Sequence, residues 1–355
     1  MTAVICDQSF VTPLGAHPAM LASAIAAGMS GFQHSDLFGE QTPVTFAPVP
    51  QAVLDVPLKA PFPGMSPPHI RLLKIAAFAL ADLTPRLPDT SVPLLLAGPE
   101  QYYPQNRVSP PFIQHLINAT GLKLDRRNSR YFAEGRAGGL RALGAAMELL
   151  AQGDVPYVLV GGIDTFCDAR TLSGLKKQWR LLGDASIGGM VPGEGAGFLL
   201  LKASGPSEAN VGQFVLAPPQ FGFEQGHLFS SQPYTAETLA NVLRQAVKTL
   251  ATPAASLYSS ENGEHHYQRE LTLARLRHKG AFTPDHKLVR LAEHVGDLGA
   301  AFAPVALALA ASEPEPSGPT VVCASSDSGP RAVVWGYPGH QYPSSDQPSS
   351  DEKGT

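Results

Sequence analysis

The sequence predicts an α/β protein made of two successive halves with the same order of elements. Three observations carry that expectation. Short apolar strands alternate with helically patterned segments along most of the 355 residues. Near residue 205 this order restarts. Within "YFAEGRAGGLRALGAAMELLAQGDVPYVLVGG" (131–162), the segment 137–152 is apolar on nearly every side, as a helix enclosed between sheets must be.

In chain order, Thr2 to Cys6 reads as a short buried strand, and "FVTPLG" as a turn punctuated by Pro13 and Gly15. From Pro18 to Ala27 the residues Met20, Leu21, Ala24 and Ile25 recur at helical spacing, and Gly28 closes the element. Leu37 to Pro68 is proline-rich and aperiodic, which predicts an irregular surface excursion. A helix is expected at 70–83, a strand at 92–97, a helix at 110–120, the enclosed helix at 137–152 and a strand at 155–161. "PGEGAGFLLLKA" (192–203) is a turn followed by a strand. In the second half, strands are expected at 213–216, 256–260, 320–324 and 331–335, with helices at 236–250, 267–277 and 298–311. The chain therefore divides into an N-terminal half, 1–205, a C-terminal half, 206–337, and a tail, 338–355. The tail has almost no aliphatic residues to offset its ordering entropy and is expected to be flexible.

Hydrophobic residues make up 44% of the chain and charged residues 16%, a balance that favours a large core with an extensive oligomer interface. The formal net charge of −4, with no basic stripe, argues against nucleic acid and against a polybasic membrane anchor. No basic leader and no uninterrupted apolar run of about 18 residues are found, so a soluble, cytoplasmic protein is expected. Cys6, Cys167 and Cys323 lie far apart, without metal-ligand spacing. Adjacent His265 and His266 would diverge on a helix and make a poor metal pair. No metal and no cofactor is expected.

Four segments, in order, resemble the β-ketoacyl synthases of the thiolase superfamily over roughly residues 3–336. They are "FVTPLG" with "AGMSGF", "GDVPYVLVGGIDTFCDARTL", "PGEGAGFLLL" and "LGAAFAPVALALA". The resemblance implies a thiolase-like α/β fold, with two pseudo-repeated halves whose mixed five-stranded sheets form a five-layered αβαβα sandwich, usually dimerised. It also implies a cysteine at the N-terminus of the central helix and two histidines from the second half. A helix N-terminus lowers a thiol's pKa, and two imidazoles polarise a thioester carbonyl.

Counted along this chain, the nucleophile position falls on Arg136, the first histidine position on Asn262 of "NGEHH", and the second on Gly296 of "HVGDLGAA". His294, two residues away, would serve only through a local gap. The F-G-F-G-G that supports the oxyanion hole in active relatives is matched loosely by "SSDSG" (325–329). A guanidinium is no nucleophile at neutral pH and opposes the helix dipole, so Arg136 needs an acid nearby. Asp297, Glu264, Glu261 and Glu134 are the candidates, and with Arg136, Asn262 and His294 they make up the expected vestigial pocket. Glu194 is expected to tie down a turn, and Cys167 lacks the basic surroundings of a reactive thiol.

The resulting functional expectation is a catalytically degenerate β-ketoacyl synthase-like protein, related to acyltransferases but non-condensing. It would act as a structural, partner-binding or adaptor subunit, chain-length-factor-like or accessory to a biosynthetic or secretion cluster. Its partner would be a second copy or another thiolase-fold subunit, with acyl carrier protein or acyl-CoA as further candidates. The alternatives are a divergent acyl-thioester acyltransferase or hydrolase using Glu134, Glu264 or Asp297 as base, and an acyl/CoA-binding module in which Arg136 grips a carboxylate.

Overall fold

A computed structural model describes residues 1–37, 39, 43–59, 65–101, 111–183, 188–204, 213–314 and 318–339. The first half contains β1 (Thr2–Val11), α1 (Pro18–Ala26), β2 (Gln33–Ser35), β3 (Val44–Phe46), α2 (Gln51–Leu54) and α3 (Pro67–Leu83). It continues through β4 (Leu94–Ala97), α4 (Phe112–Thr120), β5 (Arg130–Phe132), α5 (Gly138–Gln152), β6 (Val158–Thr165), α6 (Ala169–Lys177) and β7 (Glu194–Ser204). The second half contains β8 (Phe214–Leu216), β9 (Gln220–Phe223), α7 (Glu237–Val247), β10 (Ala254–Ser259) and α8 (His265–Arg277). It closes with β11 (Phe282–Arg290), α9 (Ala292–Val295), α10 (Phe302–Ala311), β12 (Thr320–Ser325) and β13 (Pro330–Pro338).

Pairing repeats between the halves. In the first, β1, β7 and β6 are antiparallel neighbours, and β6, β4 and β5 are parallel ones. In the second, β8, β13 and β12 are antiparallel neighbours, and β12, β10 and β11 are parallel. A short ladder between Ala3–Ile5 of β1 and Phe214–Leu216 of β8 joins the two sets. Each half thus contributes the mixed five-stranded set that the resemblance implies, and among the described residues the β1–β8 ladder makes the two sets continuous, while β2 and β3 pair apart from them.

Alternating side chains build the layers. Leu95, Val160 and Leu199 from one set of strands, and Tyr258, Val322 and Val334 from the other, enclose α5 and α10. Their sequence neighbours Leu94, Leu96 and Phe198 face outward onto α3 and α4. Leu257, Val321 and Val333 face α7 and α8. The order is αβαβα, with α5 and α10 in the middle layer. Both central helices are short of polar residues because they meet apolar strand faces above and below.

The excursion 37–68 is more structured than its composition suggests. Among its described residues, Val44, Ala47, Val49 and Val53 are buried, β3 pairs with β2, and Gln51–Leu54 forms a helical turn. The physical reason lies far away in sequence. Glu194, fully buried, accepts the Val49 N–H at 2.9 Å, Arg71 Nε at 2.6 Å and the Thr165 hydroxyl at 2.7 Å, pinning the excursion to α3 and β6. Of the tail, residues 340–355 lie outside the described residues.

Candidate functional site

The central helix begins as a single 3₁₀ turn, Gly135–Ala137, before α5 proper. Gly135 opens it at φ +59°, and an added Cβ there would stand 2.4 Å from Glu100 Cγ. The turn that follows β12 caps it from the other half of the chain. Ser326 Oγ accepts the Ala137 N–H at 2.9 Å and donates to the Glu134 carbonyl. Orphan amides at the helix start are thereby met without a local cap residue.

Arg136 occupies this first turn at 2% exposure. Its Nε donates to both Asp297 oxygens, at 3.0 and 2.9 Å, and a further nitrogen, Nη2, donates to Oδ2 of the same carboxylate. Its Nη1 donates to Asp327 Oδ1 at 2.6 Å. The guanidinium also lies over the Tyr267 ring, 5.0 Å from the centroid, and the Tyr267 hydroxyl donates to Asp327. A second buried arginine, Arg180, completes the arrangement. It forks onto Glu264 with two bonds of 2.7 Å and reaches Asp327 Oδ2 at 2.8 Å. Asn262 bridges the two acids, donating to Asp297 at 2.9 Å and to Glu264 at 3.0 Å. Charge-assisted, forked bonds of this kind use the planar donor geometry of arginine fully.

The residues singled out in the sequence separate into two groups. Arg136, Asn262, Glu264 and Asp297 meet in this network. Glu134 is half-buried and turns to Arg141 at 3.3 Å, and Glu261 pairs with Arg290 at 2.8 Å, so neither acid joins it. His294 does not join it either: its Nδ1 contacts the Met29 carbonyl at 2.8 Å on the outer side of α9. Gly296 has φ +67°, with the Val191 carbonyl oxygen 2.9 Å from where a Cβ would stand, and it is the adjacent Asp297 whose side chain enters the site. Arg180, Tyr267, Asp327, Glu100 and Asp164 were not anticipated. The one local signal was Asp327, a charged residue inside the "SSDSG" that stands where small and aromatic residues were expected.

What remains open beside Arg136 is a cavity of about 10 Å³, walled by Glu100, Asp164, Asp327, Gly299 and Phe166. That is room for about one water molecule. Among the described residues, no group of three or more histidine, cysteine or acidic side chains is arranged to hold a metal. No helix among them is long and apolar enough to cross a membrane.

Cys167 donates from Sγ to the Ala47 carbonyl at 3.7 Å, and burial, reinforced by Glu194, pushes its thiol well above the ordinary value. Alkylation of the folded protein with iodoacetamide is expected to modify the exposed Cys6 and spare Cys167. Mass mapping of the labelled chain checks this, and prior labelling of Cys167 would reverse the reading.

Residues 136–205 match the family model "Beta-ketoacyl synthase, N-terminal domain". No curated protein sequence matches the chain. Solved structures do. The ketosynthase from module 6 of the bacillaene synthase from Bacillus subtilis 168 superposes with a TM-score of 0.74 at 14% identity, covering 95% of this chain and 72% of that one. The ishigamide ketosynthase/chain length factor gives 0.68 at 20% identity, covering 95% and 99%. A type II PKS acyl-carrier protein in complex with its ketosynthase bound to the hexaketide gives 0.70 at 17% identity, covering 95% and 99%. At these identities the likeness is one of fold. The chain has the thiolase-like α/β fold of the ketosynthases.

Proposed function

We propose that this chain, β-ketoacyl synthase-like in fold, is a non-condensing subunit that works through a protein partner. One observation carries the reading. The first turn of the central helix, where the resemblance assigns a nucleophile, holds Arg136, whose guanidinium is saturated by Asp297 and Asp327. Buried on all sides, it has no lone pair to offer a thioester, and the adjoining space of about 10 Å³ admits no acyl chain.

The fold likeness to a ketosynthase/chain length factor supports a role in pairing with a second thiolase-fold subunit, a copy of this chain or a different one. The likeness to a ketosynthase complexed with an acyl-carrier protein makes such a carrier, or acyl-CoA, a candidate partner. We take residues 1–205 and 206–337 as the two halves of the duplication. The alternative of a hydrolase loses its proposed bases: Glu134 is paired with Arg141, Glu264 with Arg180 and Asp297 with Arg136.

Intact-protein mass spectrometry after incubation with acyl-CoA and acyl-carrier thioesters, run alongside light scattering, tests the proposal. A folded dimer without an acyl adduct is the expected result. A stoichiometric adduct, or thioester hydrolysis lost in Glu134→Gln or Glu264→Gln, would overturn it.

A further inference from the structure

Two carboxyls on the cavity wall form no ion pair among the described residues. Glu100, which follows β4, accepts the backbone N–H groups of Asp327 at 2.8 Å and Ser328 at 3.0 Å. Asp164, on β6, accepts those of Ala300 and Thr165, each at 2.9 Å. They are 6% and 1% exposed. Each therefore ties a strand of the first half to a backbone segment of the second: Glu100 to the turn that caps α5, Asp164 to the run that leads into α10.

Charge bookkeeping makes the arrangement unusual. Glu100, Asp164, Asp297, Asp327 and Glu264 are five buried carboxyls, and Arg136 and Arg180 are the two guanidiniums among them. Full ionisation would leave three uncompensated negative charges around a space the size of one water. Like charges so enclosed share protons rather than all ionise. The other titratable groups near the cluster, Tyr131 beside Asp164 and Tyr267 and His266 toward Asp327, are driven by burial toward their neutral forms, His266 down to about 4, and supply no positive charge at neutral pH. Burial first, then the neighbouring Asp327, raises Glu100 to about 7. Burial, with Asp297 adding to it against the Ala300 N–H, raises Asp164 to about 8.

We propose that the Glu100 and Asp164 pair is a pH-sensitive device that retains at least one proton at neutral pH and yields it to solvent base on alkalinisation, loosening the seam between the two halves. The sign follows from linkage. A carboxyl raised in the folded state binds more protons there than in the unfolded chain. Its stabilisation is complete below the unfolded carboxylate range and is lost as pH rises through about 7 to 8.

Denaturant unfolding of the full chain from about pH 6 to about pH 9.5 is the experiment. For the unmodified protein the unfolding constant is expected to rise about tenfold per pH unit for each proton that unfolding releases, and to level off above about pH 8, where the folded chain has lost those protons too. Asp164→Asn should flatten that rise, and Glu100→Gln should remove part of it. Curves for Asp164→Asn that run parallel to those of the unmodified protein would overturn the proposal. Infrared difference spectra of the unmodified chain between neutral and alkaline pH provide a test that requires no variant to fold. Loss of a neutral carboxylic-acid carbonyl band supports the device, and its absence at neutral pH overturns it.

Discussion

Arg136→Ala is expected to destabilise the fold by about 3–5 kcal/mol, the cost of leaving one side of a buried ion pair without its partner. The substitution strips Asp297 and Asp327 of their shared cation in a region where each is 2% exposed. Asp327 would keep Arg180, so Asp297 is the more exposed to loss, holding only Asn262 and the Gly299 N–H. Arg136→Lys should recover part of the deficit, since it restores charge without the fork onto Asp297. Denaturant titration of the three proteins measures all of this. A loss below about 1 kcal/mol for the alanine variant would mean that Arg136 is not what holds the two halves together at this point.

Gly162→Ala is expected to be at least as damaging, for a steric reason. An added Cβ would stand 2.1 Å from the Ala300 carbonyl oxygen and 2.9 Å from its carbon. Both are backbone atoms, and the Ala300 N–H is fixed to Asp164. Neither β6 nor the segment 299–301 can yield without disturbing the middle layer. The cost should reach about 3 kcal/mol or more, the upper part of the range for overpacking. Gly280→Ala is the control: among the described residues nothing lies within 4 Å of the added carbon, and its effect should fall within about 0.5 kcal/mol. Equal midpoints for the two variants in denaturant would refute this explanation of the second glycine in "VLVGGIDT".

Several elements were missed in the sequence for identifiable reasons. Strand β11 buries Phe282 and Val289 near its ends and exposes Pro284, Asp285 and Lys287 between them, so an edge strand lost its alternating signal. Helix α6 carried a readable start in Asp168, whose carboxylate accepts the Arg170 and Thr171 N–H groups at 3.0 and 3.1 Å. Its short apolar stripe, Leu172 and Leu175, gave too few repeats to register as a period. β1 runs on to Val11, past its expected end at Cys6, because Asp7–Val11 continues the ladder with β7 after a bulge. At the site, the need of Arg136 for an acid was legible from charge alone, but His294 was misplaced. A two-residue offset on the single turn of α9 sends its ring outward to Met29.

The sequence by itself determined an α/β chain of two halves with the same order of elements and one helix, 137–152, enclosed on nearly every side. Those follow from hydrophobic period, a local property of short segments, whereas the five-layered sandwich was implied by the resemblance to the β-ketoacyl synthases. The sequence also determined that an arginine stands at the first turn of the central helix. Only the tertiary structure decided that the charge is neutralised by Asp297 and Asp327, 161 and 191 residues away along the chain, and that Arg180 and Glu264 close the same network. Burial is the reason: charges excluded from water must find partners wherever the fold brings them, and that proximity is a property of packing rather than of sequence distance.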